Sequence, residues 1–215
     1  MTPYLMNYLE KAEGTTVHRN STESDITSPY GIYKSAHPTA QIFTFIDQIA
    51  KEAGIFKSSQ QWTQNDLNLI NQNIQRTNKL PQIRSLAESF YDKYTQGLPL
   101  DKIPELCQVT VFSLYTNSSL NASKAIQMAC NSFIKNYSLQ IASLVEDGAL
   151  GRSSISALEN INRCIGINTD RALYFETLIL LHMSKLYATL AVANPDKYLI
   201  YLKGWNNRLE TLSRS

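Results

Sequence analysis

Glu13 sits directly before Gly14, where a helix should end, and that placement gives its carboxyl group a possible chemistry. The segment opens with Thr2, suited to an N-cap, and Pro3, suited to the first helical position. Tyr4, Leu5, Tyr8, Leu9 and Ala12 recur at helical spacing, and a glycine at the far end suits a C-cap. Glu13 is therefore expected beside the unpartnered carbonyls of a helix C-terminus, whose negative potential disfavours an ionised carboxylate. A carboxylic acid that keeps its proton near neutral pH can protonate the departing oxygen of a glycosidic bond.

The chain after Gly14 is almost free of apolar residues as far as Ile32. It carries two carboxylates, Glu23 and Asp25, and hydroxyls at Thr22, Ser24, Thr27 and Ser28. Such a stretch reads either as a surface loop or as a cleft wall that sets a second carboxylate and a hydroxyl opposite Glu13. A helix-terminal Glu-Gly, a carboxylate about ten residues later, and Thr or Ser shortly before Gly31-Ile32 resemble the Glu/Asp/Thr arrangement of phage-type lysozymes. The closer resemblance is to glycoside hydrolase family 108, muramidases with an N-terminal Glu-Gly-Gly…Asp-Pro-Gly-Gly-x-Thr-x-x-Gly-Ile pattern.

The second half of the chain carries the same resemblance. Ala122 to Cys130 followed by Asp147-Gly148-Ala149-Leu150-Gly151 and Ala157-Leu158 is similar to the family's predicted peptidoglycan-binding segment. Gly204-Trp205-Asn206-Asn207-Arg208 is similar to its closing Gly-Trp-x-x-Arg motif. The order of the three matches is the family's order. Two departures stand out: Glu13-Gly14-Thr15-Thr16 replaces Glu-Gly-Gly-Tyr, and the Asp-Pro-Gly-Gly turn is missing.

The resemblance implies hydrolysis of the β-1,4 bond between N-acetylmuramic acid and N-acetylglucosamine, with Glu13 as the general acid. Glu23 or Asp25 would stabilise the oxocarbenium-like transition state or activate water, and Thr27 or Ser28 would hold that water. Tyr30 would line the site. Inversion or retention follows from the separation of the carboxyl groups. Two alternatives stay open: a lytic transglycosylase, which needs no partner carboxylate, and a peptidoglycan-binding or structural protein that has lost catalysis.

Composition restricts the function classes. A net charge of +2 with no dense Lys/Arg run gives no case for nucleic acid. Cys107, Cys130 and Cys164 form no CxxC pair, so neither zinc nor a redox dithiol is implied, and buried free thiols are expected. No metal cluster, Gly-rich phosphate loop or Ser/Cys nucleophile motif is visible, and no cofactor is expected. His18, His37 and His182 suggest no site. Without a basic segment and long apolar core at the start, the reading is cytoplasmic synthesis, with export to the wall or periplasm by another system. The apolar stretch 174–193, interrupted by Glu176, His182 and Lys185, reads as a buried helix and not as a membrane span.

The elements that must position these residues are mostly helical. Periodicity predicts helices over 39–53, 66–74, 81–94, 101–114, 122–135, 153–162, 170–193 and 196–212. A short β-hairpin is expected near residues 29–33. The fold class is mostly α and, by the resemblance, lysozyme-like. A catalytic region over 1–100 would pack against a helical peptidoglycan-binding-like region over 101–215. Asp147-Gly148…Gly151 reads foremost as a tight turn before a helix, Trp205 as a core residue, and Trp62, in a polar stretch, as a sugar platform.

Overall fold

Apolar residues at helical spacing become helices through most of the chain, and one proline accounts for the main exception. In the computed structural model, which describes residues 1–19 and 25–213, the chain forms two compact units, Met1–Tyr94 and Thr95–Ser215.

The first unit begins with α1 (Pro3–Glu13), where the Thr2 hydroxyl accepts from the Leu5 amide and Pro3 occupies the first turn. Two two-residue strands follow, β1 (His18–Arg19) and β2 (Ile26–Thr27), then a 3-10 turn at Pro29–Gly31. Helices α2 (Gln41–Glu52), α3 (Gln64–Arg76) and α4 (Leu80–Tyr94) complete the unit. Thr63 and Asp66 form a reciprocal capping box at the start of α3. Leu5, Met6 and Leu9 are buried with Ile42, Phe43, Ile46 and Ile49, Leu67, Ile70 and Ile74, and Ile83, Ala87 and Tyr91.

The hairpin is antiparallel, with His18 opposite Thr27 and Arg19 opposite Ile26. It lies earlier than the 29–33 expectation, and Tyr33 joins it by a single bridge to Thr27. Pro29 cannot donate to a ladder. Tyr30 and Gly31 both take positive φ, 68° and 82°, which turns the chain out of extended geometry.

The second unit departs from expectation at 101–114. Two 3-10 turns, Leu100–Lys102 and Glu105–Cys107, precede α5 (Gln108–Asn117). Pro104 lacks an amide hydrogen and pushes Ile103 into extended backbone (φ −91°, ψ 135°), so no continuous helix can form. Then come α6 (Ser119–Asn136), α7 (Arg152–Ile165), α8 (Thr169–Ala193) and α9 (Pro195–Leu212). By length and composition α8 could cross a bilayer. In the fold, its residues Phe175, Ile179, Met183 and Tyr187 are buried, and the helix packs on α6 and α9. Phe133 of α6 meets Phe175 edge-on at 5.6 Å, and Trp205 stacks on Tyr187 at 4.4 Å. The three cysteines are free, and burial pushes the Cys107 and Cys130 thiols up to about 12.

Candidate functional site

The site is built around the end of α1. That helix is tied to α4 by Arg84, which donates to Glu10 and to Asn7, each at 3.0 Å. The carbonyl of Gly14, the first residue past the helix, accepts from the Tyr30 amide at 2.9 Å. The Tyr91 hydroxyl of α4 in turn donates to the Tyr30 carbonyl at 2.7 Å. Both peptide groups flanking Tyr30 are thus held, which keeps a tyrosine in left-handed backbone that residues with a side chain rarely adopt.

The next residue, Gly31, lies against Glu13. A β-carbon at position 31 would fall 2.7 Å from Glu13 Cγ, 2.8 Å from Cδ and 2.9 Å from Oε2. The half-buried carboxyl group of Glu13 therefore rests over a position that favours glycine for two reasons, the contact and the backbone angle.

Thr27 and Ser28, on the same hairpin arm, differ in what their hydroxyls do. Both are buried, at 1% and 0% exposure. Ser28 Oγ donates to the Pro29 carbonyl at 2.9 Å. Among the described residues, Thr27 Oγ1 has no hydrogen-bond partner, an unusual condition for a buried polar atom. Asp25 is engaged on both oxygens. Oδ1 accepts from the Ile26 amide at 2.8 Å, and Oδ2 accepts from Ser35, from its amide at 2.9 Å and its hydroxyl at 2.6 Å. Glu23 lies outside the described residues.

Two expected substrate contacts are placed differently. Tyr30 is 1% exposed, so its ring is a core group; burial, and next the Glu10 carboxylate, push its phenol up. Trp62 is 4% exposed. Its indole donates to the Lys57 carbonyl at 3.2 Å, and the Lys34 ammonium lies 5.8 Å from the ring centre. Because the polar residues around Trp62 form a short 3-10 turn (Ser59–Gln61), the indole points inward.

Several positioning residues give no sequence signal. Asn71 of α3 accepts from the Val17 amide at 2.8 Å and donates to the Val17 carbonyl at 2.9 Å. Arg19 reaches the Trp62 carbonyl at 2.8 Å. Lys34 pairs with both oxygens of Asp47, at 2.9 and 3.0 Å. Together they fasten the polar segment to α2 and α3.

In the second unit, the Asp147–Gly151 segment is a turn held from within. The buried Gln127 amide donates to Asp147 at 2.9 Å and to the Ala149 carbonyl at 3.0 Å, and accepts from the Gly148 amide at 2.7 Å. Asp147 also accepts from the Ala149 amide at 2.8 Å, and these bonds, the Gln127 one foremost, hold its carboxyl below the usual range. Gly148 has φ 84°, and a β-carbon there would come within 2.5 Å of Leu120. The turn delivers the chain into α7.

Among the described residues, no group of three or more His, Cys, Asp or Glu side chains is placed to hold a metal ion. Compared with protein-family models, with curated proteins and with solved structures, the chain finds no match.

Proposed function

We propose that this protein is a peptidoglycan hydrolase, an N-acetylmuramidase with Glu13 as its general acid. The observation that carries the reading is the packing of Glu13 over Gly31, at the end of a helix and beside a strained turn. Strain of this kind concentrates at functional sites. A carboxyl group held in one place can deliver its proton to a single oxygen of a bound glycan.

In this mechanism Glu13 protonates the leaving oxygen as the glycosidic bond breaks. Glu23 or Asp25 stabilises the positive charge on the sugar ring or activates water. The Thr27 hydroxyl holds that water, a role favoured over Ser28 because Ser28 is already bonded to Pro29. The work site would be the cell wall or periplasm, reached by export. A second reading, a lytic transglycosylase, draws support from Asp25, whose oxygens are both taken by the hairpin and Ser35.

Turbidity clearing of purified peptidoglycan, with product analysis, tests both. The wild-type chain should clear the wall and release reducing muramic ends, and Glu13→Gln should not clear it. Clearing by Glu13→Gln at the parental rate overturns the assignment of the acid. Anhydro-muramic products transfer the case to the transglycosylase reading.

A further inference from the structure

We propose that a groove between residues 36–41 and α4 is a saccharide subsite that seats an anionic N-acetylated sugar, namely a muramic acid residue. The choice of a glycan ligand rests on the hydrolase reading; the groove itself rests on independent geometry. It encloses about 700 Å³.

Its wall is aromatic. Phe90 and Tyr94, one turn apart on α4, lie parallel, with centroids 5.6 Å apart and planes 13° from each other. The His37 ring meets Phe90 at 4.8 Å and Tyr94 at 5.4 Å, edge-on to both. Its position is set by the turn in which the His37 amide donates to the Tyr33 carbonyl at 3.1 Å. Burial pushes the imidazole pKa down, so the neutral ring dominates at neutral pH and adds no positive charge to the wall.

The rim has the opposite character. The side chains of Thr39, Gln41 and Lys93 line the groove, are exposed, and make no hydrogen bond or ion pair among the described residues. Flat apolar rings take the C–H face of a pyranose, and hydroxyl and amide groups take its hydroxyls and acetamido group. The Lys93 ammonium, with no ion pair among the described residues, takes a carboxylate. A purely apolar ligand would leave this rim without partners, and a neutral glycan would leave the cation without one. The lactyl carboxylate of muramic acid meets both conditions.

The test is a nuclear magnetic resonance titration of the full chain carrying Glu13→Gln. The probes are the disaccharide of N-acetylglucosamine and N-acetylmuramic acid, and neutral chitobiose. The muramic disaccharide should bind saturably, shift the His37 ring resonances, and bind more tightly than chitobiose. Lys93→Gln should weaken it by about tenfold and leave chitobiose unchanged. Tyr94→Ala should weaken both sugars; where that variant unfolds, the exposed Lys93→Gln decides. Unmoved His37 resonances, equal affinity for the two sugars, or a silent Lys93→Gln overturns the subsite. A wild-type chain that cleaves no peptidoglycan, while the titration behaves as stated, sinks the hydrolase reading and leaves the subsite standing.

Discussion

The carboxyl group of Glu13 occupies the volume that a β-carbon at Gly31 would fill, so the helix end and the turn after the hairpin are fitted to each other at one point. The fit depends on Tyr30, which is held in left-handed backbone by Gly14 on one side and Tyr91 on the other. Gly31→Ala should therefore act on Glu13 more than on the fold. The left-handed penalty is about 1–2 kcal/mol, read as a lowered urea midpoint. Clearing activity should fall about 100-fold, since a displacement near 1 Å is enough to misalign a proton donor. Full activity in a folded Gly31→Ala protein would separate Glu13 from the chemistry.

Thr27→Val removes a buried hydroxyl that has no partner among the described residues and keeps the side-chain shape. A group of this kind is a stability cost, so the variant should be more stable by about 1 kcal/mol, measured by denaturant unfolding. Its peptidoglycan-clearing rate should fall, the pattern of a residue kept for function. Ser28→Ala should lower stability, because it strips the bond to Pro29. Equal clearing by Thr27→Val and the parent would remove Thr27 from the water-holding role.

Acid and neutral pH should stress the two units in opposite directions. The Lys57 ammonium and then Thr63 hold Asp66 down to about 2. Its contribution is present above the ordinary carboxylate range and is lost as pH falls through about 2. Burial raises the pKa of Glu176, with the Thr110 hydroxyl bond opposing the shift. Stability linked to Glu176 is full below the ordinary carboxylate range and is lost as pH rises through its raised value. Urea midpoints followed by probes in each unit should show Asp66→Asn flattening the acid limb of the first unit. Glu176→Gln should flatten the decline of the second.

Gln127→Ala should cost about 3 kcal/mol, because one buried amide holds Asp147, Gly148 and Ala149. The loss should appear in the second unit, as faster amide hydrogen exchange at the start of α7. An unchanged exchange pattern would mean that the turn stands without its glutamine.

Trp62→Ala should unfold the first unit or weaken it by about 3–5 kcal/mol, in keeping with a 4% exposed indole. A stable variant with wild-type melting and reduced sugar affinity would restore Trp62 as a platform.

Helix positions were readable from apolar period, and at α1 Thr2 and Pro3 added a start signal. The caps Thr63, Asn168 and Asn194 begin α3, α8 and α9 one to two residues before the starts that period alone indicated. Pro104 was present in the sequence but lay within an apolar pattern strong enough to mask it, and the chain obeys the proline. Glu13 was legible because its place follows from a single helix end. Asn71, Arg84 and Tyr91 were not, since each acts through a carbonyl, amide or carboxylate far away in the chain. No local pattern encodes such a partner. Trp62 misled for a related reason: polar neighbours mark a segment as outer without fixing which way one side chain turns.

The grip of Asn71 on both polar groups of Val17 has a further effect. A two-residue ribbon is a short template, and its approach is already occupied by a side chain that imitates a third strand. Extended segments of other molecules find the Val17 amide and carbonyl already taken at that point.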